Sequence, residues 1–108
     1  MANELSVIQT VTNVGQALMT MASSTRGLSA TRKKNAILLE EELRRLKYVC
    51  RVQGISSLVD MTVYQMEKTN HDIVQKGHTG VLLEMDMRLL ELQYQMLCQN
   101  LQDYYYGK

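Results

Sequence analysis

The stretch 82–106, LLEMDMRLLELQYQMLCQNLQDYYY, decides the fold. It contains neither Gly nor Pro, and its apolar residues recur at steps of three and four rather than two, the spacing of a helix and not of a strand. Leu82, Met85, Leu89, Leu92 and Met96 form one seam, and Leu83, Met87, Leu90, Tyr94, Leu97 and Leu101 form another. Glu84, Arg88, Glu91, Gln95, Gln99 and Gln102 fill a narrow polar strip. A helix with two apolar seams calls for two or more neighbours. Asp86, Gln93 and Asn100 lie between the seams at heptad spacing. That stripe is either a buried layer that sets register or the wet floor of a groove.

Working back along the chain, Gly77-His78-Thr79-Gly80 is the clearest turn. Before it, Ile55, Leu58, Val59, Thr62, Met66 and Ile73 mark a third helix that ends near Lys76. Gly54 separates it from a helix that opens on Ser29, a candidate N-cap, and runs to about Gln53. The seam of that second helix is Ala36, Leu39, Leu43, Leu46 and Cys50. Its wet face offers Glu40 to Arg44 and Glu41 to Arg45, both with the acid first at i,i+4, the favoured order. If Gly54 only kinks the chain, residues 30–76 form one helix of about 70 Å at roughly 1.5 Å per residue, which is stable only in an oligomer.

The first helix is expected from about Asn3 to Ala22, followed by a loop over Ser23–Leu28. Val7, Val11, Val14, Leu18 and Met21 form its seam, widened by Ile8, Gly15, Met19 and Ala22. Gln9, Thr12, Asn13, Gln16 and Thr20 lie opposite, and no ionisable side chain occurs from Leu5 to Thr25. A face that is polar but uncharged tolerates burial better than a charged one, because a charge is far more costly to desolvate. These patterns predict an all-α fold in a single domain, residues 1–108. The architecture is a small antiparallel bundle of three to four helices, the second and third either separate or fused into one long kinked helix.

Composition narrows the function without naming it. The chain is 45% hydrophobic and 21% charged with a net charge of +1, the balance of a globular domain with no bulk attraction to nucleic acid or membrane. Residues 1–54 carry eight Lys/Arg against four Asp/Glu, and residues 55–108 carry four against seven, so the halves differ in sign. The basic segment Arg26–Lys34 reads as solvated surface, with an anion-facing patch as the alternative. Cys50 and Cys98 lie on helical patterns with no C-x-x-C, which predicts free thiols in a reducing, cytoplasmic setting. MANELSVIQT lacks a basic region followed by an apolar core, so no secretory signal is expected, and no apolar run is long enough for a transmembrane helix.

No enzyme signature emerges. His71 and His78 have no Cys or carboxylate at zinc-ligand spacing, so no metal site or cofactor is expected. Glu40-Glu41-Glu42 reads as a solvated helix face rather than acid–base machinery, and a Gly-rich phosphate loop is absent. Two binding alternatives remain. Cys50, Gly54, Ile55 and Ser56 resemble the turn of a DNA-binding helix-turn-helix motif. Against that, Asp60 replaces an expected apolar residue, and Ser57–Glu67 has no Lys or Arg for phosphates or guanines. The first helix loosely matches a membrane-surface amphipathic helix, but Val, Ala and Gly stand where bulky anchors belong.

The expected function is non-enzymatic: a helical protein–protein interaction module that self-associates or clasps a helical partner, with no small-molecule substrate. A small chaperone or adaptor serving a secretion or phage assembly system is the nearest class by analogy. The partner-binding residues are expected on the last helix, at Met85, Leu89, Gln93, Met96, Asn100, Tyr104 and Tyr105. Methionines adapt to varied helical surfaces, and tyrosines are enriched at interfaces.

Overall fold

The computed structural model describes residues 4–23, 29–55 and 57–107. It contains helices α1 (Glu4–Ser23), α2 (Ser29–Val52), α3 (Ser57–Lys76) and α4 (Gly80–Tyr106). Among the described residues there is no strand. The loop expected at Ser24–Leu28, with Arg26, lies outside the described residues, as do Asn3, Ser56 and the side chain of Ser29. The helices pack in ring order: α1 on α2, α2 on α3, α3 on α4, and α4 back on α1 in the thinnest contact of the four. The 27 residues of α4 span about 40 Å at the standard rise, which matches the longest dimension of the molecule, 40 Å.

Residues 30–76 form two helices and not one. α2 ends in a Schellman arrangement: the Ile55 amide donates to the Cys50 carbonyl at 3.0 Å and the Gly54 amide to the Arg51 carbonyl at 3.1 Å. These bonds satisfy carbonyls that the helix end would otherwise orphan, and they require a left-handed residue between them. Gly54 supplies it at φ 68°, and Ile55 then buries beside Cys50.

The core follows the seams closely in α2, where Ala36, Leu39, Leu43, Leu46 and Cys50 are all buried, joined by Val49. In α1, Val7, Val14, Leu18 and Met21 are buried and Val11 packs against them. Ile8, Met19 and Ala22, expected to widen that seam, are exposed. In α3, Val59, Thr62, Met66 and Ile73 face inward, whereas Leu58 is exposed and Val63, Thr69 and Asn70 take the remaining inner positions. Asn70 Nδ2 donates to the Ala36 carbonyl at 2.8 Å, which ties α3 to α2, while its Oδ1 is enclosed without a partner. Lys47–Glu67 at 2.9 Å and Arg51–Asp60 at 3.4 Å tie the same pair of helices.

Of the two Glu–Arg pairs expected on α2, Glu40–Arg44 forms at 3.0 Å. Arg45 departs from expectation. Its Nη1 bridges both oxygens of Glu42 at 2.9 Å, a two-point contact on the adjacent i,i+3 position, and so it does not take Glu41.

Candidate interaction surface

The packing of α4 separates its two seams. Leu83, Met87, Leu90, Leu97 and Leu101 are buried and Tyr94 packs against the core. Leu82, Met85, Leu89, Leu92 and Met96 remain between 48% and 62% exposed. Isolated apolar residues on a surface are ordinary, whereas these five form a contiguous row along one helix face. Two of the methionines expected there, Met85 and Met96, are exposed, as are Met19 and Met61, while Met21, Met66 and Met87 fill the core.

The polar stripe lies along the edge of α4 that meets α3 and the preceding turn. Asn100 Nδ2 donates to Thr62 Oγ1 at 2.9 Å, and that hydroxyl donates to the Leu58 carbonyl at 2.9 Å. Asp86 Oδ2 lies 2.9 Å from His78 Nδ1 and fixes the turn before α4 to its second helical turn. Gln93 is half-buried, and its Oε1 is enclosed without a hydrogen-bond partner. So Asn100 and Asp86 serve the bundle itself, and Gln93 is a polar group without polar return.

The terminal tyrosines also divide. Tyr105 Oη donates to Gln53 Oε1 at 3.1 Å, which clamps the end of α4 to the turn between α2 and α3. Tyr104 packs edge-on against it, with ring centroids 5.1 Å apart and planes at 87°, and stays half exposed. Of the expected partner-binding residues, the structure brings Met85, Leu89 and Met96 together on one outer face. It sets Gln93 and Asn100 on the α3 edge, and Tyr104 and Tyr105 at the helix end.

The opposite edge of α4 meets α1, most closely at Gly15 and Tyr94. Tyr94 Oη donates to the Val11 carbonyl at 3.0 Å. Gly15 makes room for the ring, since a Cβ there would come within 2.5 Å of Tyr94 Oη. Burial, with the Cys98 thiol beside it, pushes the Tyr94 phenol up to about 12, so it remains a donor at neutral pH. Cavities of about 320 Å³ and 420 Å³ open on either side of this ring between α1 and α4. The composition of α1 gave no hint of that contact; its signal is a glycine at an inner position of a helix otherwise free of glycine.

The uncharged outer face of α1 is largely self-satisfied. Thr12 and Thr20 hydroxyls donate to the carbonyls four residues back, Ile8 and Gln16, at 3.0 Å each, and Gln9 donates to Asn13 at 3.2 Å. Of the basic segment, Lys33 lines a recess with Glu40, Glu67 and His71, so positive charge there is interleaved with negative.

Both cysteines are free thiols. Burial, reinforced by the Asp60 carboxylate, pushes Cys50 up to about 11, which holds it protonated and unreactive at neutral pH. Among the described residues no three His, Cys, Asp or Glu side chains cluster as a metal site, and no helix is long and apolar enough to cross a membrane. Comparison of the chain with protein families, with curated proteins and with solved structures finds no match.

Proposed function

We propose that the protein is a non-enzymatic helical interaction module that pairs the outer seam of α4 with another amphipathic helix. The observation that carries this reading is the row of Leu82, Met85, Leu89, Leu92 and Met96, half exposed while the parallel seam on the same helix is buried. Alternating steps of four and three are the spacing of a helix-pairing seam, where each apolar side chain enters a hole on the facing helix. Fully burying a Leu or Met contributes about 1.5–3 kcal/mol, so closing five half-exposed side chains contributes about 4–8 kcal/mol per protomer. That is comparable to the estimated loss of translational and rotational freedom on association, about 4–15 kcal/mol. The result is a reversible contact rather than a permanent one, as suits a small adaptor or chaperone, a class reached here by analogy.

The test is site-specific photocrosslinking in cells that produce the protein. A photoreactive residue at Leu89 or Leu92 is expected to give discrete crosslinked products, whereas one at Arg44, an exposed position on α2, gives none. Absence of product from the seam, or equal labelling from all three positions, overturns the reading.

A further inference from the structure

We infer that the occupant of the outer α4 seam is a second copy of this chain, docked antiparallel about a two-fold axis level with Leu90 and Glu91. The inference rests on the helix-pairing reading above and names its partner.

Four of the five seam residues are self-complementary, and the fifth, Leu82, falls opposite the partner's Gln99. Met85, Leu89, Leu92 and Met96 are separated by steps of four, three and four, and the order Met-Leu-Leu-Met reads the same in both directions. In an antiparallel pair, residues at the two heptad core positions face each other across the axis. Met85 then meets the partner's Met96 and Leu89 meets the partner's Leu92, and the two-fold repeats both contacts. An isologous interface requires this, because one patch must fit itself.

Charge selects the direction. Asp103 continues the same heptad position as Leu82, Leu89 and Met96; it is exposed and accepts a hydrogen bond from Gln99 at 2.9 Å. A parallel pair would set the two Asp103 carboxylates against each other. The antiparallel pair places each Asp103 beside the start of the partner's α4, which begins at Gly80, where the helix dipole is positive and favours an anion. Antiparallel docking also sets Arg88 opposite the partner's Gln95, so no like charges meet along that flank.

The seam from Leu82 to Met96 is about 21 Å long at roughly 1.5 Å per residue and one helix wide. That footprint falls at the low end for specific interfaces, which bury about 1,200 Å² or more in total. An interface of that size suits a weak, reversible pair.

The experiment uses the full chain in light scattering from about 5 to 200 µM, the range such a small interface implies. The expected mass rises toward twice the 12.4 kDa of one chain. The double variant Leu89→Glu/Leu92→Glu is expected to remain monomeric throughout, with an unchanged helical circular dichroism spectrum. Direction is read from disulfides in a Cys98→Ser background carrying Met85→Cys or Met96→Cys. Antiparallel docking leaves two Met85→Cys positions about 16 Å apart along the axis. Only a mixture of the two variants, distinguished by tags, should then crosslink under mild oxidation.

Efficient crosslinking of either variant with itself overturns the antiparallel arrangement. A double Glu variant that still dimerises overturns the seam as the interface. A wild-type chain that is monomeric at the highest concentration overturns the second copy. In that case, photocrosslinks from Leu89 to a different polypeptide leave the helix-pairing reading standing, and their absence removes it as well.

Discussion

Three neighbouring positions on α4 should respond to substitution in three different ways. Gln93 is half-buried, and its Oε1 is enclosed without a partner. An enclosed polar atom that has lost water and gained no partner is unfavourable by about 1–3 kcal/mol. Gln93→Leu removes that penalty and adds apolar contact in a side chain of similar length, with equal helix propensity. The expected gain is about 1–2 kcal/mol, and at about 4–8 °C per kcal/mol for a small domain the melting temperature rises by about 4–16 °C. Leu90, four-square in the core at 0% exposure, behaves oppositely: Leu90→Ala leaves a cavity and loses about 2–5 kcal/mol. Leu89 is 48% exposed, so Leu89→Ala loses only half a transfer term and opens no cavity, below about 1.5 kcal/mol.

The assay is a thermal melt and a urea titration of all three variants at about 2 µM, low enough to keep a weak dimer dissociated. A Gln93→Leu protein that melts like Leu90→Ala would refute the reasoning. It would mean that Gln93 holds a hydrogen-bonded network, and that the stripe specifies the fold instead of merely bordering it. A Leu89→Ala protein as unstable as Leu90→Ala would show that both seams lie within the monomer core.

The α1–α4 contact predicts a coupled pair. Gly15→Ala gains about 1 kcal/mol in helix propensity, but its Cβ would meet Tyr94 Oη at 2.5 Å and Cζ at 2.9 Å, an overpacking penalty of about 1–3 kcal/mol. Net destabilisation of up to about 2 kcal/mol is expected, and Tyr94→Phe should relieve part of it in a double-mutant cycle; a Gly15→Ala chain more stable than the parent contradicts the close approach. Cys50 sets an alkaline limit. Its pKa is raised from an ordinary 9.0 to about 11 by burial and Asp60, so in the window between those values the unfolded chain releases a proton that the folded chain keeps. Stability is full below about pH 9 and falls as pH rises toward 11, by up to about 2–3 kcal/mol. Cys50→Ala should flatten urea-unfolding free energies between about pH 9 and 10, below the range in which the raised Tyr94 phenol adds a slope of the same sign, and an unchanged slope there would assign the alkaline loss elsewhere.

The fold was legible wherever one residue type had one use. The α2 seam could be read because its inner positions are Leu, Ala and Cys and its outer ones carry the charges, so periodicity alone separates the faces. Gly54 was legible as an interruption, but not as a stop. Kink and reversal share the same glycine, and only the paired bonds to Cys50 and Arg51 distinguish them. α3 was read less well because its inner face is partly polar: Thr69 and Asn70 are buried, each a residue that a hydropathy pattern places outside, whereas Thr62 was legible from its place on the seam. Asn70 is held by the Ala36 carbonyl 34 positions away, a partner that no local pattern contains. The same limit hid His78–Asp86 and Tyr105–Gln53.

Two features of the sequence pointed equally toward a partner: the uncharged face of α1 and the second seam of α4. Their physical meaning diverges once the chain is folded. On α1, the Thr12 and Thr20 hydroxyls turn back to their own helix carbonyls, so these polar groups are met within the helix, while Ile8 and Met19 beside them remain exposed. On α4, the second seam has no internal remedy, because an apolar side chain is satisfied only by exclusion of water. Ring packing assigns one edge of α4 to α3 and the other to α1 at Gly15 and Tyr94. Rotating the helix to bury Leu89 and Leu92 would expose Leu90 and Leu97, both at 0% exposure, and would break the Tyr94 and Asn100 bonds that fix its orientation. The bundle therefore does not close the outer seam by adjusting itself, which is why the proposed contact is placed there rather than on α1.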